Sequence, residues 1–119
     1  MGPPNATEMD AVVAMTAVSD MNQARALARL LVDSRFAACV SLTEGIRSVY
    51  HWKGETVEEP EIVLLIKTRR GLLPRLREAV SGHHPYEIPE LIALPVIDCL
   101  PGYLAWLRES TENPDAEAQ

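Results

Sequence analysis

Apolar positions recur along this chain with two different periods, and the changes of period mark out its elements. From Ala11 to Val18 every residue except Thr16 is apolar, the pattern of a strand covered on both faces. Ser19 and Asp20 break the run, and Asp20 with Gln23 three positions later has the form of a capping box. Ala24, Leu27, Ala28 and Leu31 then repeat along one helical face while Arg25 and Arg29 fall on the other, which predicts an amphipathic helix ending near Ser34. Phe36 to Leu42 reads as a second strand. From Ile46 to Trp52 the pattern alternates, with Ile46, Ser48, Tyr50 and Trp52 on one face and Arg47, Val49 and His51 on the other. Gly45 reads as a bulge or bend between these segments, so that they form one long bent strand. Lys53-Gly54 makes a tight turn, Glu55 to Glu58 returns as a short charged arm, and Pro60 stops it.

Ile62 to Ile66 is again apolar on both faces. Lys67 continues the side of Val63 and Leu65, which puts its ammonium at a sheet edge or in a cleft. Gly71-Leu72-Leu73-Pro74 opens a second helix, with proline in the first turn, where its missing N–H leaves no partner unsatisfied. Leu72, Leu73, Leu76 and Val80 form its buried stripe, and Ser81-Gly82 ends it with Gly82 just past the last turn. Leu91 to Val96 is the last strand, with Pro95 at its end or on an edge, Asp98 to Gly102 a turn, and Tyr103 to Arg108 a C-terminal helix.

The resulting order is the split βαβ pattern of a ferredoxin-like α+β sandwich, βαββαβ, with a protruding hairpin and a C-terminal helix added. Residues 1–9 read as a disordered leader, 10–110 as the folded domain and 111–119 as an acidic flexible tail. Two helices cover one face of an antiparallel sheet. The runs at 11–18 and 61–66 are apolar on both sides, so the second face also needs a cover, and an oligomer that packs sheet against sheet supplies one.

Composition narrows the function. The chain has 119 residues, a net charge of −6 and 24% charged residues, enough length for one packed core and the wrong sign for non-specific nucleic-acid or anionic-lipid binding. No run of about 18 apolar residues and no basic-then-apolar leader is present. Cys39 and Cys99 form no Cys-x-x-Cys pair, and a reducing cytoplasm fits them best.

The chemistry concentrates in His83-His84-Pro85-Tyr86-Glu87-Ile88-Pro89-Glu90, a rigid polar connection between two apolar elements. Because the residue before proline is pushed out of helical geometry, the stretch reads as non-helical. Imidazole is a common metal ligand and titrates near neutrality, so three readings stand side by side: a metal or ligand site, a wall of a subunit interface, or a well-made loop. Adjacent side chains on an extended loop point apart, which sets His83 towards solvent and His84 towards a cleft. Trp52, Glu59, Lys67, Tyr86 and Glu90 are either structural or line an intersubunit cleft in which Lys67 and a carboxylate orient a small ligand. Tyr50, Tyr103 and Trp106 read as packing residues and His51 as exposed.

Six segments together carry a resemblance. They are Phe36 to Val40, Arg47 to Gly54, Leu65 to Thr68, His84-Pro85-Tyr86 with Pro89-Glu90, Leu94-Pro95-Val96, and Tyr103-Leu104-Ala105-Trp106. Their order and spacing resemble the CutA divalent-cation tolerance family over roughly residues 11–110. The resemblance implies a ferredoxin-like protomer in a PII-like homotrimer, a cytoplasmic protein, and a response to copper and other divalent cations. It implies a metal site at His83 and His84 with Met15 as the soft residue of the first strand. Met15 stands where copper-binding relatives carry cysteine, and a thioether is a weaker, neutral ligand suited to Cu(I). It implies no obligatory cofactor, and as partners its own copies, divalent metal ions and, in the intersubunit cleft, a small metabolite or a partner's loop.

Enzyme readings fit poorly. An acylphosphatase needs an anion-cradling loop with arginine after the first strand, and Ala17-Val18-Ser19-Asp20 offers neither arginine nor glycine. An RNA-recognition domain needs exposed aromatic residues on its central strands, where this chain has Val, Leu and Ile. The expectation is a non-enzymatic metal-response or binding protein.

Overall fold

A computed structural model describes residues 9–114 of the chain. The expected leader up to residue 8 and tail from residue 115 lie outside them. The elements are β1 (Ala11–Val18), α1 (Met21–Asp33), β2 (Cys39–Trp52), β3 (Glu55–Arg69), α2 (Leu73–His83, entered through a short 3-10 turn at Arg70–Leu72), β4 (Ile92–Pro95) and α3 (Pro101–Ser110). The sheet runs β2-β3-β1-β4 with antiparallel neighbours, the ferredoxin-like arrangement that the element order predicts.

The core lies between this sheet and the helices. Ala14, Val18, Leu64 and Ile66 point to one face, where Ala24, Leu27 and Leu31 of α1 and Leu76, Ala79 and Val80 of α2 close over them. Helix α1 starts where the sequence indicates: the Asp20 side chain accepts the backbone N–H of Gln23 at 2.9 Å, satisfying a donor that has no partner within the helix.

The opposite face is only partly covered. Helix α3 packs Leu104 and Leu107 onto Met9, Ala11 and Ala38 at one end. Arg69 pins its C-terminus by donating Nε–H to the Thr111 hydroxyl and Nη2–H to the Thr111 carbonyl, both at 2.9 Å. Met9, expected in the leader, and Thr111, expected in the tail, are therefore both buried. Along the rest of this face Ile92 and Leu94 are about half exposed, at 48% and 52%.

Several expectations need correcting. Gly45, at φ +81°, does mark a register shift between Thr43 and Ile46 within one continuous strand, but Phe36 to Ala38 precede that strand. Pro60 does not stop the return strand, which runs unbroken from Glu55 to Arg69. Pro60 pairs with Arg47, whereas β1 joins β3 only from Ile62, so proline stands where one side of β3 has no neighbour. The result is a two-stranded arm from Ile46 to Glu61 with a tip at Lys53 (φ +49°) and Gly54 (φ +84°). Two positive φ values are the signature of a type I′ turn, whose twist matches the flanking strands. Helix α2 extends through Gly82 and His83, and His84 (φ −81°, ψ 137°) is the residue that Pro85 forces out of helical geometry. Helix α3 begins earlier than expected, with Pro101 in its first turn. Tyr103 and Trp106 pack against each other at 5.4 Å but stay more than 40% exposed.

Candidate functional site

The two histidines differ because one belongs to a helix and the other to the chain that leaves it. His83, exposed in the last turn of α2, donates from Nδ1 to the carbonyl of Ala79 at 2.9 Å, which leaves the lone pair of Nε2 directed away from the helix. His84 sits against the end of β1, its Nε2 2.8 Å from the carbonyl of Ala17. Its Nδ1 accepts the backbone N–H of Tyr86 at 3.1 Å. An imidazole that donates from one nitrogen and accepts at the other is neutral and has no lone pair left. The expected divergence of the two side chains is present, but its cause is the helix end rather than an extended loop. Met15 lies on the partly covered face of β1, paired with Leu65 and Ile92. Among the described residues no three His, Cys, Asp or Glu side chains are grouped so as to hold a metal ion.

Tyr86 starts a second constellation. Its ring meets His84 edge-on at 4.8 Å, and its hydroxyl donates to the Glu61 carboxylate at 2.7 Å. That bond ties the link after α2 to the base of the arm. Above it, Tyr50, Trp52 and Glu59 on one face of the arm and Tyr86, Glu87 and Ile88 on the link enclose a cleft of about 240 Å³. The face is set by register: Tyr50 pairs with Val57 and Ser48 with Glu59, so Tyr50, Trp52 and Glu59 point the same way. Burial, the bonded Glu61 carboxylate and the other nearby charges raise the pKa of Tyr86, and slight burial followed by Glu59 and Glu61 raises that of Tyr50, so both phenols stay neutral well above pH 7.

The structure thus brings together Trp52, Glu59 and Tyr86 and leaves out two residues expected with them. Lys67 lies six residues along β3 from Glu61, roughly 20 Å at the rise of a strand, where it donates to the Ser41 hydroxyl across the sheet. Glu90 is exposed and does not line the cleft. Tyr50, Glu61, Glu87 and Ile88 are members that the sequence reading missed. For Tyr50 the alternation from Ile46 to Trp52 held the signal, since it shares the face of Trp52. For Glu61 and Glu87 the signal lies in the path of the link, which local patterns do not contain.

The topology and this cleft define a ferredoxin-like α+β protein with a long hairpin arm and a small aromatic-acidic recess at its base. The sequence profile of the CutA1 divalent ion tolerance protein family matches residues 12–110. The divalent-cation tolerance protein CutA of Thermus thermophilus is 46% identical over 103 residues, covering 87% of this chain and 99% of that one. Protein CutA of Mus musculus is 47% identical over 90 residues, covering 76% of this chain and 51% of that one. The crystal structure of CutA1 from Oryza sativa superimposes with a TM-score of 0.85 at 38% identity, covering 88% of this chain and 96% of that one. The chain belongs to the CutA1 divalent ion tolerance family. It spans nearly all of the bacterial relative and about half of the mouse one. Among the described residues no helix is long and apolar enough to cross a membrane.

Proposed function

We propose that this chain acts as a homotrimeric divalent-cation tolerance protein that meets copper or another divalent cation weakly, through His83. The observation that carries the reading is the geometry of His83. A ligating histidine characteristically donates its other ring N–H to a carbonyl or carboxylate, and His83 does so to Ala79 with Nε2 left outward. His84 supports the site from behind, by fixing the link, and joins as a ligand only if Tyr86 releases its Nδ1. Met15, on the sheet face opposite the one that α2 covers, stands apart from His83 within one chain, and its thioether joins the site only from a neighbouring copy. Among the described residues no His, Cys, Asp or Glu completes a three-ligand group with the histidines, so binding is weak and depends on neighbouring copies. Titrating copper and zinc into wild type, His83→Ala and a His83→Ala/His84→Ala double variant tests this. Loss of the metal isotherm in His83→Ala is expected, and identical isotherms for all three would remove the histidine site.

Assembly follows from the sheet. The half-exposed Ile92 and Leu94 continue an apolar face formed by Val13, Met15, Val63 and Leu65, and packing against other copies covers it. Light scattering at micromolar concentration should report a trimer, and a monomer would refute this part.

A second reading is favoured by the arm cleft: a PII-like signalling or binding module that takes a small metabolite or a partner's loop between subunits. Tyr50, Trp52, Glu59 and Tyr86 support it by forming a recess with apolar walls and a few polar groups. Native mass spectrometry of freshly purified protein should show a bound small molecule. A clean spectrum, with no stabilisation across a metabolite panel, would count against it.

A further inference from the structure

We propose that the arm cleft is a recognition site for a small organic cation, an ammonium headgroup held over aromatic rings and beside carboxylates. This rests on the cleft reading above and adds the class of ligand. Three observations lead to it.

The walls are aromatic where a cation needs a π-face: Tyr50 and Trp52 from the arm, Tyr86 from the link. A cation over such rings is attracted by their quadrupole, and quaternary ammonium ligands are recognised in aromatic cages of this composition. The indole of Trp52 already makes such a contact, with the Lys53 ammonium 5.5 Å from its ring centroid. The tyrosine hydroxyls keep their protons, as described above, so their rings present the neutral phenol.

The charge of the lining has one sign. Glu59 and Glu87 line the cleft, Glu61 stands behind the Tyr86 hydroxyl, and among the described residues no Lys, Arg or His lines it. An anionic ligand would meet uncompensated carboxylates, whereas a cation gains from each of them. These carboxylates are not grouped as a metal site, since no three metal-binding side chains converge among the described residues. Rings and separated carboxylates suit a large, soft, weakly hydrated cation better than a small divalent ion, which asks for oxygen ligands close together.

Size sets the limit. A recess of about 240 Å³ lies below the range of drug-sized pockets and fits a headgroup of a few heavy atoms. Ile88 closes one side and gives methyl groups an apolar contact.

Four probes test the inference on the intact protein: choline, its neutral isostere 3,3-dimethylbutan-1-ol, the anion pivalate, and magnesium. Binding is read by calorimetry and by Trp52 fluorescence in a Trp106→Phe background that removes the other indole. Choline should bind about tenfold more tightly than the isostere, the gap expected of one partly desolvated cation–π contact, and pivalate should not bind. Glu59→Gln, which keeps the shape of the site, should weaken choline about fivefold and leave the isostere unchanged. Trp52→Leu should abolish the preference. Equal binding of choline and isostere would overturn the ligand class while leaving the cleft a binding site. Tight magnesium binding that displaces choline would make it a hard-cation site instead. Silence from all four probes would overturn the ligand class, and the native mass spectrum then decides separately whether the cleft reading beneath it stands.

Discussion

At His84 both ring nitrogens are engaged with the backbone, and at His83 only one is, so two adjacent residues of one type differ in chemistry. The sequence shows the pair and its proline. It does not show that Ala17, 67 positions away, supplies the carbonyl for His84, because that contact depends on where β1 ends relative to α2. Tyr86 carries the clearest prediction at this scale. Its phenol titrates above the ordinary 10.0, chiefly because of burial and then because of Glu61. Tyr50 and Tyr103 shift in the same direction. The folded protein keeps protons that the unfolded chain releases, so this contribution to stability is complete below pH 10.0 and declines as pH rises beyond it. Urea unfolding across that range should show the decline. Tyr86→Phe should make it shallower and, by taking the donor from Glu61, lower stability at neutral pH by about 1 kcal/mol. A tyrosinate absorbance titration that finds Tyr86 ionising at its ordinary pH would contradict the prediction.

Among the elements, those defined by their own periodicity were legible. The apolar runs gave β1 and β3, the stripe and capping box gave α1, and the Lys53-Gly54 pair gave the arm's turn. What local pattern left unread depended on neighbours. Pro60 looks like a stop, yet proline disrupts a strand only where its absent N–H is needed, and that requires knowing that β1 ends at Val18. Gly82 looks like a helix terminator, yet the helix continues to His83 and Pro85 ends it. The two glycines therefore respond oppositely to alanine. Gly54 sits at φ +84° with open space where a Cβ would go, so Gly54→Ala should cost about 1 kcal/mol from backbone strain alone. Gly82 also has open space and no positive φ, so Gly82→Ala should stabilise by roughly 0.5 kcal/mol. Paired thermal denaturation of the two variants reads both signs, and destabilisation by Gly82→Ala would restore the terminator reading.

For the molecule as a whole, the sheet's second face is the unsolved surface of the single chain. The sequence indicated it, because strands apolar on both sides outnumber the elements that can cover them. Leu94 lies on that face near the edge of the sheet and is half exposed, so a charge there should spare the protomer and damage only the assembly. Leu94→Lys should keep the circular dichroism of wild type while sedimenting as a smaller species; unchanged sedimentation would argue that this face is not an interface. The arm belongs to the same scale. Trp52, beside its tip, lies six residues beyond the irregular pairing at Thr43 to Ile46, roughly 20 Å out along the ribbon. One wall of the cleft rides on this lever, while the other belongs to the link after α2, which Tyr86 ties to the arm only at its base, through Glu61. A tilt of about 10° at the fulcrum near Gly45 would sweep Trp52 through about 3–4 Å, from the product of angle and strand length. Any such tilt would change the width of the recess from a fulcrum that does not line it.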